Sequence, residues 1–121
     1  MQKTKILIVE DEPTVLNICV AVLRHNGFDP IVAVNGIEGL ETYRERHEEI
    51  CLVISDISMP LMGGIEMVRN IFEVDSHSNI ILMSGYNFCD VVPDDLKRLC
   101  SVIGKPFTAG RLIEAVRKWR T

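Results

Sequence analysis

Residues 51–60, with the sequence CLVISDISMP, constrain the fold of this chain more than any other stretch. The apolar run leads directly to Asp56, and Pro60 follows shortly after it. A short continuous apolar run predicts a strand that is buried on both faces of a parallel sheet. Proline cannot donate to a sheet ladder, so the strand must end before Pro60. Asp56 is therefore expected at the carboxyl end of a central strand, the edge at which open α/β sheets bind ligands.

Strand-sized apolar runs alternate with helical segments along the whole chain. The predicted strands are residues 5–9, 30–34, 51–56, 79–83 and 101–104. Helix starts are indicated by Pro13, by the N-cap candidates Asn35 and Thr108, and by Gly63–Gly64. A short helix is expected from about Pro93. This alternation predicts an α/β fold, a flavodoxin-like doubly wound sheet of five parallel strands in the order 2-1-3-4-5 with five helices. With 121 residues and no linker or repeat, residues 1–121 are expected to form a single domain.

Apolar residues at helical spacing predict which helix faces are buried. On the first helix these residues are Val15, Ile18, Cys19, Val22 and Leu23. On the last helix they are Leu112, Ile113, Val116 and Trp119.

Charge and composition argue against several classes of protein. The net charge of −4 and the pI near 5.3 disfavour direct binding to nucleic acid. The apolar runs are too short for a transmembrane helix, and the first residues lack a signal-peptide pattern. The four cysteines are widely spaced, which is typical of reduced thiols, and the three histidines share no ligand spacing. We therefore expect a cytoplasmic protein.

Four of the predicted strands end in polar side chains. The first strand ends in Glu10 and Asp11, the third in Asp56, the fourth in Ser84 and the fifth in Lys105. Strands one and three are neighbours in the expected order, so their three carboxylates should share one crevice. Carboxylates that stay ionised at close range require a cation, and an oxygen-only donor set suits Mg²⁺. Each residue alone has an ordinary structural explanation, in a helix dipole, a turn or a solvated loop, but the combination favours a site.

Such a site suits phosphoryl chemistry. One carboxylate, Asp56, can serve as a nucleophile toward phosphorus. Lys105 can pair with a phosphoryl oxygen as a compact positive charge, and the hydroxyl of Ser84 can donate to another. Three carboxylates, a divalent metal and one lysine sum to zero formal charge, so an incoming phosphoryl dianion would not be strongly repelled.

Four motifs and one glycine connect these residues to a known family. They are ILIVEDEP at residues 6–13, DISMP at 56–60 with Gly64 after it, MSG at 83–85 and KPF at 105–107. In these motifs the chain resembles, over essentially its whole length, the receiver domain of two-component response regulators, which also occurs in hybrid histidine kinases. The resemblance implies a phosphorylation-controlled switch that assists only its own phosphorylation and dephosphorylation. Its implied partners are a histidine kinase or histidine phosphotransfer protein and an output partner or domain, with no nucleic acid and no membrane.

The resemblance also implies how the acidic residues divide their roles. Asp56 would be the phospho-acceptor and a ligand of Mg²⁺. Asp11 would bind the metal directly, Glu10 would act largely through water, and the backbone carbonyl of Ser58 would supply a further ligand.

Other implied roles concern the phosphoryl group and the response to it. Ser84 and Lys105 would contact the phosphoryl group, and the bond between Lys105 and Pro106 would be cis. Ser58 and Tyr86 each follow a site residue by two positions, so both are expected to set the lifetime of the phosphorylated state, and the ring of Tyr86 is expected to shield it from water. Receivers often carry, at the position of Val102, an aromatic residue that reorients on activation. Because valine cannot do this, movement on activation is expected in residues 86–93. These residues belong to the expected output face, which consists of residues 86–100, the fifth strand and the last helix.

Three other functions compete with this interpretation. A phosphatase or mutase of the haloacid dehalogenase type also uses an aspartate nucleophile and Mg²⁺, but it needs Asp-x-Asp after its first strand and this chain has Asp56-Ile57-Ser58 after its third. A receiver-like scaffold that is never phosphorylated would not need the intact set of site residues. A flavin mononucleotide binder would need a phosphate cradle where this chain has acidic residues.

Overall fold

The computed structural model of this chain describes residues 3–85 and 92–119. Within those ranges the strands are β1 (Lys5–Val9), β2 (Asp29–Ala33), β3 (Ile50–Asp56), β4 (Ile80–Ser84) and β5 (Ser101–Gly104). The helices are α1 (Pro13–His25), α2 (Gly36–Arg46), α3 (Gly64–Val74), α4 (Asp94–Leu99) and α5 (Ala109–Lys118). The predicted alternation is confirmed, and each strand boundary lies within one residue of the expected position.

The strands form one parallel sheet in the predicted order β2-β1-β3-β4-β5. The ladder between β1 and β3 ends with the pair of Val9 and Ser55, so Asp56 is the first residue of β3 beyond that ladder. On the other side of β3, Asp56 pairs with Met83, and Ser84 pairs with Gly104 of β5. Parallel strands place all of these carboxyl ends at the same edge of the sheet, which is the predicted location of the site.

Local sequence explains where the helices begin. Pro13 occupies the first turn of α1, where its missing N–H removes no helical hydrogen bond. The side chain of Asn35 caps α2 by accepting a hydrogen bond from the Glu38 N–H at 2.9 Å. Thr108 caps α5 in the same way, accepting from the Arg111 N–H at 3.1 Å. These three predicted starts are confirmed, and so is the start at Gly63–Gly64, where Gly63 is the N-cap of α3.

The core consists of two layers, one on each face of the sheet. Helices α2, α3 and α4 cover one face through side chains such as Tyr43, Ile71 and Leu96. Helices α1 and α5 cover the other face through side chains such as Leu23 and Leu112. Burial of the apolar stripe predicted for α5 is confirmed at Leu112, Ile113 and Val116, and Trp119 packs partly buried against them.

The predicted buried face of α1 is wrong at one position. Ile18 is 50% exposed, whereas Cys19 and Leu23 are fully buried. Residues 19 and 23 lie one turn apart and define the centre of the buried stripe, and residue 18 is turned about 100° away around the helix axis. Val15 and Val22 lie closer to that stripe and are partly buried.

Helix α4 is anchored by its own short apolar face and by a contact with α3. Leu96 and Cys100 are buried in the core layer of α2 and α3. Arg69 of α3 donates to both carboxylate oxygens of Asp95, at 2.9 and 3.3 Å. Residues 86–91 precede this region and lie outside the described residues, as do the predictions made for Tyr86 and for most of the 86–93 segment. Among the described helices, none is both long and apolar enough to span a membrane.

Candidate functional site

Three carboxylates meet at the carboxyl edge of the sheet, as the sequence predicted. Glu10 follows β1, Asp11 comes next, and Asp56 ends β3. One carboxylate oxygen from each of them lies within 4.8 Å of the others. Glu10 is completely buried and Asp56 is 8% exposed, whereas Asp11 is exposed. The site is therefore an acidic pocket in which two carboxylate side chains are buried and the third is exposed to solvent.

Lys105 joins this pocket from the end of β5. Its Nζ donates to Glu10 Oε1 at 2.7 Å and lies 3.3 Å from Asp56 Oδ2. The backbone N–H of Lys105 donates to the Ser84 carbonyl at 2.7 Å, and the bond from Lys105 to Pro106 is cis, as predicted. The loop after β5 thus directs the lysine side chain back toward the two buried carboxylates.

The electrostatics of the pocket reflect crowded negative charge. Burial raises the pKa of Glu10 above its ordinary value, and the nearby charge of Asp56 raises it further, although the hydrogen bond from Lys105 opposes both effects. Burial alone would lower the pKa of Lys105, but its hydrogen bond to Glu10 and the charges of Asp56 and Glu10 outweigh this, so the pKa lies above normal. An additional cation would relieve the same crowding.

The remaining predicted residues lie beside this pocket. Ser84 is the last residue of β4 and is 5% exposed, one position beyond the strand partner of Asp56. Ser58 is exposed and lies two residues after the end of β3. Their roles toward a phosphoryl group and a metal remain predictions.

Close backbone packing holds the loop that connects β3 to α3. The Gly64 N–H donates to the Ile57 carbonyl at 2.9 Å. A Cβ atom on Gly64 would lie 2.2 Å from the Asp56 carbonyl oxygen, so only glycine fits there without a shift of the backbone. Leu61 at the tip of the loop has a left-handed φ of 69°, and it is 80% exposed.

A second close contact was missed by the sequence reasoning. The N–H of Gly36, at the start of α2, donates to the Met62 carbonyl at 3.1 Å, and a Cβ on Gly36 would lie 2.3 Å from the same oxygen. The glycine after Asn35 was the available signal, but a sequence shows only that glycine is present and not which backbone approaches it. This contact ties the loop after β3 to α2.

Comparisons with known proteins agree with this geometry. A family model of the response regulator receiver domain matches residues 6–117. The chemotaxis protein CheY of Bacillus subtilis is 34% identical over 116 residues, which cover 94% of this chain and 95% of that protein. The sensor kinase CckA of Brucella abortus is 32% identical over 116 residues, which cover 93% of this chain but only 12% of the kinase. A chain in the crystal structure of the CheX–CheY–BeF3–Mg²⁺ complex from Borrelia burgdorferi superposes with a TM-score of 0.90 at 28% identity, covering 97% of this chain and 89% of that one.

Receiver domains are signalling domains rather than metabolic enzymes, and they bind Mg²⁺ at an acidic pocket. In this chain the carboxylates of Glu10, Asp11 and Asp56 cluster at the expected edge of a sheet with the expected strand order. Because the family model spans nearly the whole chain, this chain belongs to the receiver domains of response regulators.

Proposed function

We propose that this receiver domain accepts a phosphoryl group on Asp56 from a phosphohistidine and changes its surface while it carries that group. The observation that carries the proposal is the surroundings of the Asp56 carboxylate. Glu10 and Asp11 lie within 4.8 Å of it, and Lys105 Nζ lies 3.3 Å away. A carboxylate with a cation on one side and further acidic ligands on the other is suited to phosphoryl transfer, which depends mainly on positioning and neutralisation of charge.

The residues at the pocket fit a Mg²⁺ ion. All three side chains offer hard carboxylate oxygens, and Mg²⁺ in proteins is usually held by one or two carboxylates, other oxygens and water. We propose that Asp11, Asp56 and the backbone carbonyl of Ser58 bind the ion and that Glu10 acts through water. When bound, Mg²⁺ would neutralise negative charge on the carboxylates and on the incoming phosphoryl oxygens.

The transfer itself can be described through the side chains of this chain. A lone pair on an Asp56 carboxylate oxygen forms a bond to phosphorus while the bond from phosphorus to the donor's imidazole nitrogen breaks, and that nitrogen keeps the electron pair. The positive Nζ of Lys105 would form an ion pair with one phosphoryl oxygen, and the Ser84 hydroxyl would donate a hydrogen bond to another phosphoryl oxygen. Hydrolysis would later transfer the phosphoryl group from Asp56 to water and restore the carboxylate.

The same proposal defines partners and setting. The phosphoryl donor would be a histidine kinase or a histidine phosphotransfer protein, and the altered surface would control an output partner or an attached domain. The family match and the acidic pocket support these partners. The match to one segment of the sensor kinase CckA is compatible both with a separate output partner and with an attached domain. We propose further that residues 1–121 act as one receiver unit in the cytoplasm and do not turn over small phosphate esters.

Phosphotransfer from a histidine-phosphorylated protein tests this function. The purified chain would be mixed with the autophosphorylated catalytic core of each histidine kinase of the source organism, with Mg²⁺ present or chelated. We expect rapid transfer from at least one kinase to the wild-type chain, none to Asp56→Asn, and none without Mg²⁺. Transfer to Asp56→Asn at the wild-type rate, or steady release of phosphate from small esters, would contradict the proposal.

A further inference from the structure

One polar side chain in β3 lies within an otherwise apolar part of the sheet. Ser55 is completely buried, and its partners in register are Val9 of β1 and Leu82 of β4, which are also completely buried. A buried hydroxyl costs free energy unless it is hydrogen-bonded. Valine or isoleucine, which β3 uses at Val53 and Ile54, would suit a buried strand better. The hydroxyl of Ser55 therefore requires an explanation other than packing.

The hydrogen bond of Ser55 indicates what that hydroxyl does. Its Oγ donates to the backbone carbonyl oxygen of Asp56 at 2.8 Å. Pairing between β1 and β3 ends at Val9 and Ser55, so this carbonyl lies just beyond the region that the β1 ladder holds. The backbone of Gly64 approaches the same oxygen so closely that a Cβ there would lie 2.2 Å from it. The Ser55 hydroxyl and Gly64 together hold the peptide that follows Asp56.

That peptide connects the residues of the acidic pocket. The next residue, Ile57, donates its N–H to the Met83 carbonyl at 3.1 Å and accepts from the Gly64 N–H at 2.9 Å. Rotation of the peptide between Asp56 and Ile57 would therefore change the start of the loop and the direction of the Ser58 carbonyl. It would also change the backbone from which the Asp56 carboxylate extends into the pocket.

We propose that Ser55 is a positioning residue of the phospho-acceptor site. By holding the Asp56 carbonyl, its hydroxyl fixes the orientation in which the Asp56 carboxylate and the Ser58 carbonyl are presented to a divalent cation and to phosphorus. This inference rests on the proposed function, because it assigns to Ser55 an effect on Mg²⁺ and on phosphorylation. In this proposal Ser55 acts through the Asp56 carbonyl and not by contact with Mg²⁺ or with the phosphoryl group.

Threonine and valine provide a matched pair of substitutions for the test. Both have the same branched shape and one heavy atom more than serine, but only threonine retains a hydroxyl, and Ser55→Ala removes the hydroxyl without adding a heavy atom. The dissociation constant for Mg²⁺ would be measured by isothermal titration calorimetry without a phosphodonor. The initial rate of labelling by acetyl phosphate would be measured at saturating Mg²⁺, and unfolding by urea would report the stability of each variant.

Loss of one hydrogen bond predicts a specific pattern across these measurements. S55A and S55V should bind Mg²⁺ about three- to tenfold more weakly than wild type, in the range expected for one lost hydrogen bond. Their labelling should slow by a similar factor, and S55T should remain closer to wild type than S55V in both measurements. S55V should nevertheless be at least as resistant to urea as S55T, because a purely apolar side chain suits the buried position.

Two results would overturn the inference. Mg²⁺ affinity and labelling of S55A equal to wild type would show that the hydroxyl positions nothing. Functional losses in S55A that only parallel a loss of stability would assign Ser55 a purely structural role. If the wild-type protein neither bound Mg²⁺ nor became labelled, the proposed function itself would fail, and this outcome is distinct from equal behaviour of wild type and S55A.

Discussion

Replacement of Gly64 by alanine would test how strongly the phospho-acceptor site depends on close backbone packing. A Cβ at this position would lie 2.2 Å from the Asp56 carbonyl oxygen, 3.0 Å from Ile57 Cα and 3.1 Å from the Asp56 carbonyl carbon. All three atoms belong to the backbone, so relief requires α3 or the end of β3 to move by about 1 Å, since Cβ atoms essentially never lie under 3.0 Å from such atoms. The φ of Gly64 is not left-handed, so alanine suffers no conformational penalty of its own and steric overlap decides the outcome.

The expected magnitude follows from those contacts. Alanine at the start of a helix would otherwise stabilise the protein by about 0.5–1 kcal/mol, whereas overpacking of a rigid site costs about 1–3 kcal/mol. We therefore expect G64A to lose roughly 1–2 kcal/mol of unfolding free energy. Because a displacement of about 1 Å at a reacting group can reduce a rate by about 100-fold, labelling of Asp56 by acetyl phosphate should slow by at least about tenfold.

Gly110 provides the matched control. It lies in the first turn of α5, and the nearest atom to a Cβ there would be Thr108 Oγ1 at 3.9 Å, an ordinary contact. G110A should be as stable as wild type or more stable, and it should be labelled at the wild-type rate. Urea unfolding and the initial rate of labelling would be measured for both variants. If G64A matched G110A in both measurements, the claim that Gly64 sets the position of Asp56 would be refuted.

Three further predictions concern the pocket and the thiols. Mg²⁺ at about 100 times its dissociation constant should add roughly 2.7 kcal/mol of stability, which is about 10 °C in Tm for a chain of this size, and Asp11→Ala should abolish most of that rise in thermal melts. Lys105→Gln should reduce labelling of Asp56 by about 100-fold, as expected for loss of a charge that stabilises the transition state. The same variant should bind Mg²⁺ at least as tightly as wild type in calorimetry, because Nζ no longer competes for Glu10 and Asp56; weaker binding would contradict this. Burial raises the pKa of Cys100 to about 12, so iodoacetamide at pH 8 should alkylate it slowly in the native protein and rapidly in urea, as measured by peptide mapping.

The strands and their polar ends could be predicted from the sequence because both depend on short-range patterns. A buried parallel strand produces a continuous apolar run, and the residue after it is fixed at the edge of the sheet. Glu10, Asp56 and Lys105 were therefore expected to meet although they are far apart in the chain, and the strand order β2-β1-β3-β4-β5 brings them together. The cap residues Asn35 and Thr108 were predictable for the same reason, since a cap acts only on its own helix.

Features that depend on how separate elements approach one another could not be predicted. Helical spacing placed Ile18 on the same face as Cys19, but the centre of the buried stripe is set by how α1 rests on the sheet. Nothing in the sequence indicates that the Met62 carbonyl faces Gly36 or that Lys105 pairs more closely with Glu10 than with Asp56. These distances result from tertiary packing, which has no local signature.

Intact-mass spectrometry with acetyl phosphate would test the central claim most directly. The wild-type chain would be incubated with acetyl phosphate with and without Mg²⁺, beside Asp56→Asn, and the modified residue would be located by peptide mapping. We expect a single added phosphoryl group, at Asp56, only with Mg²⁺ and never in the variant. A phosphoryl group that persisted at normal yield in Asp56→Asn, or that formed equally well without Mg²⁺, would show that Asp56 in the acidic pocket is not the phospho-acceptor.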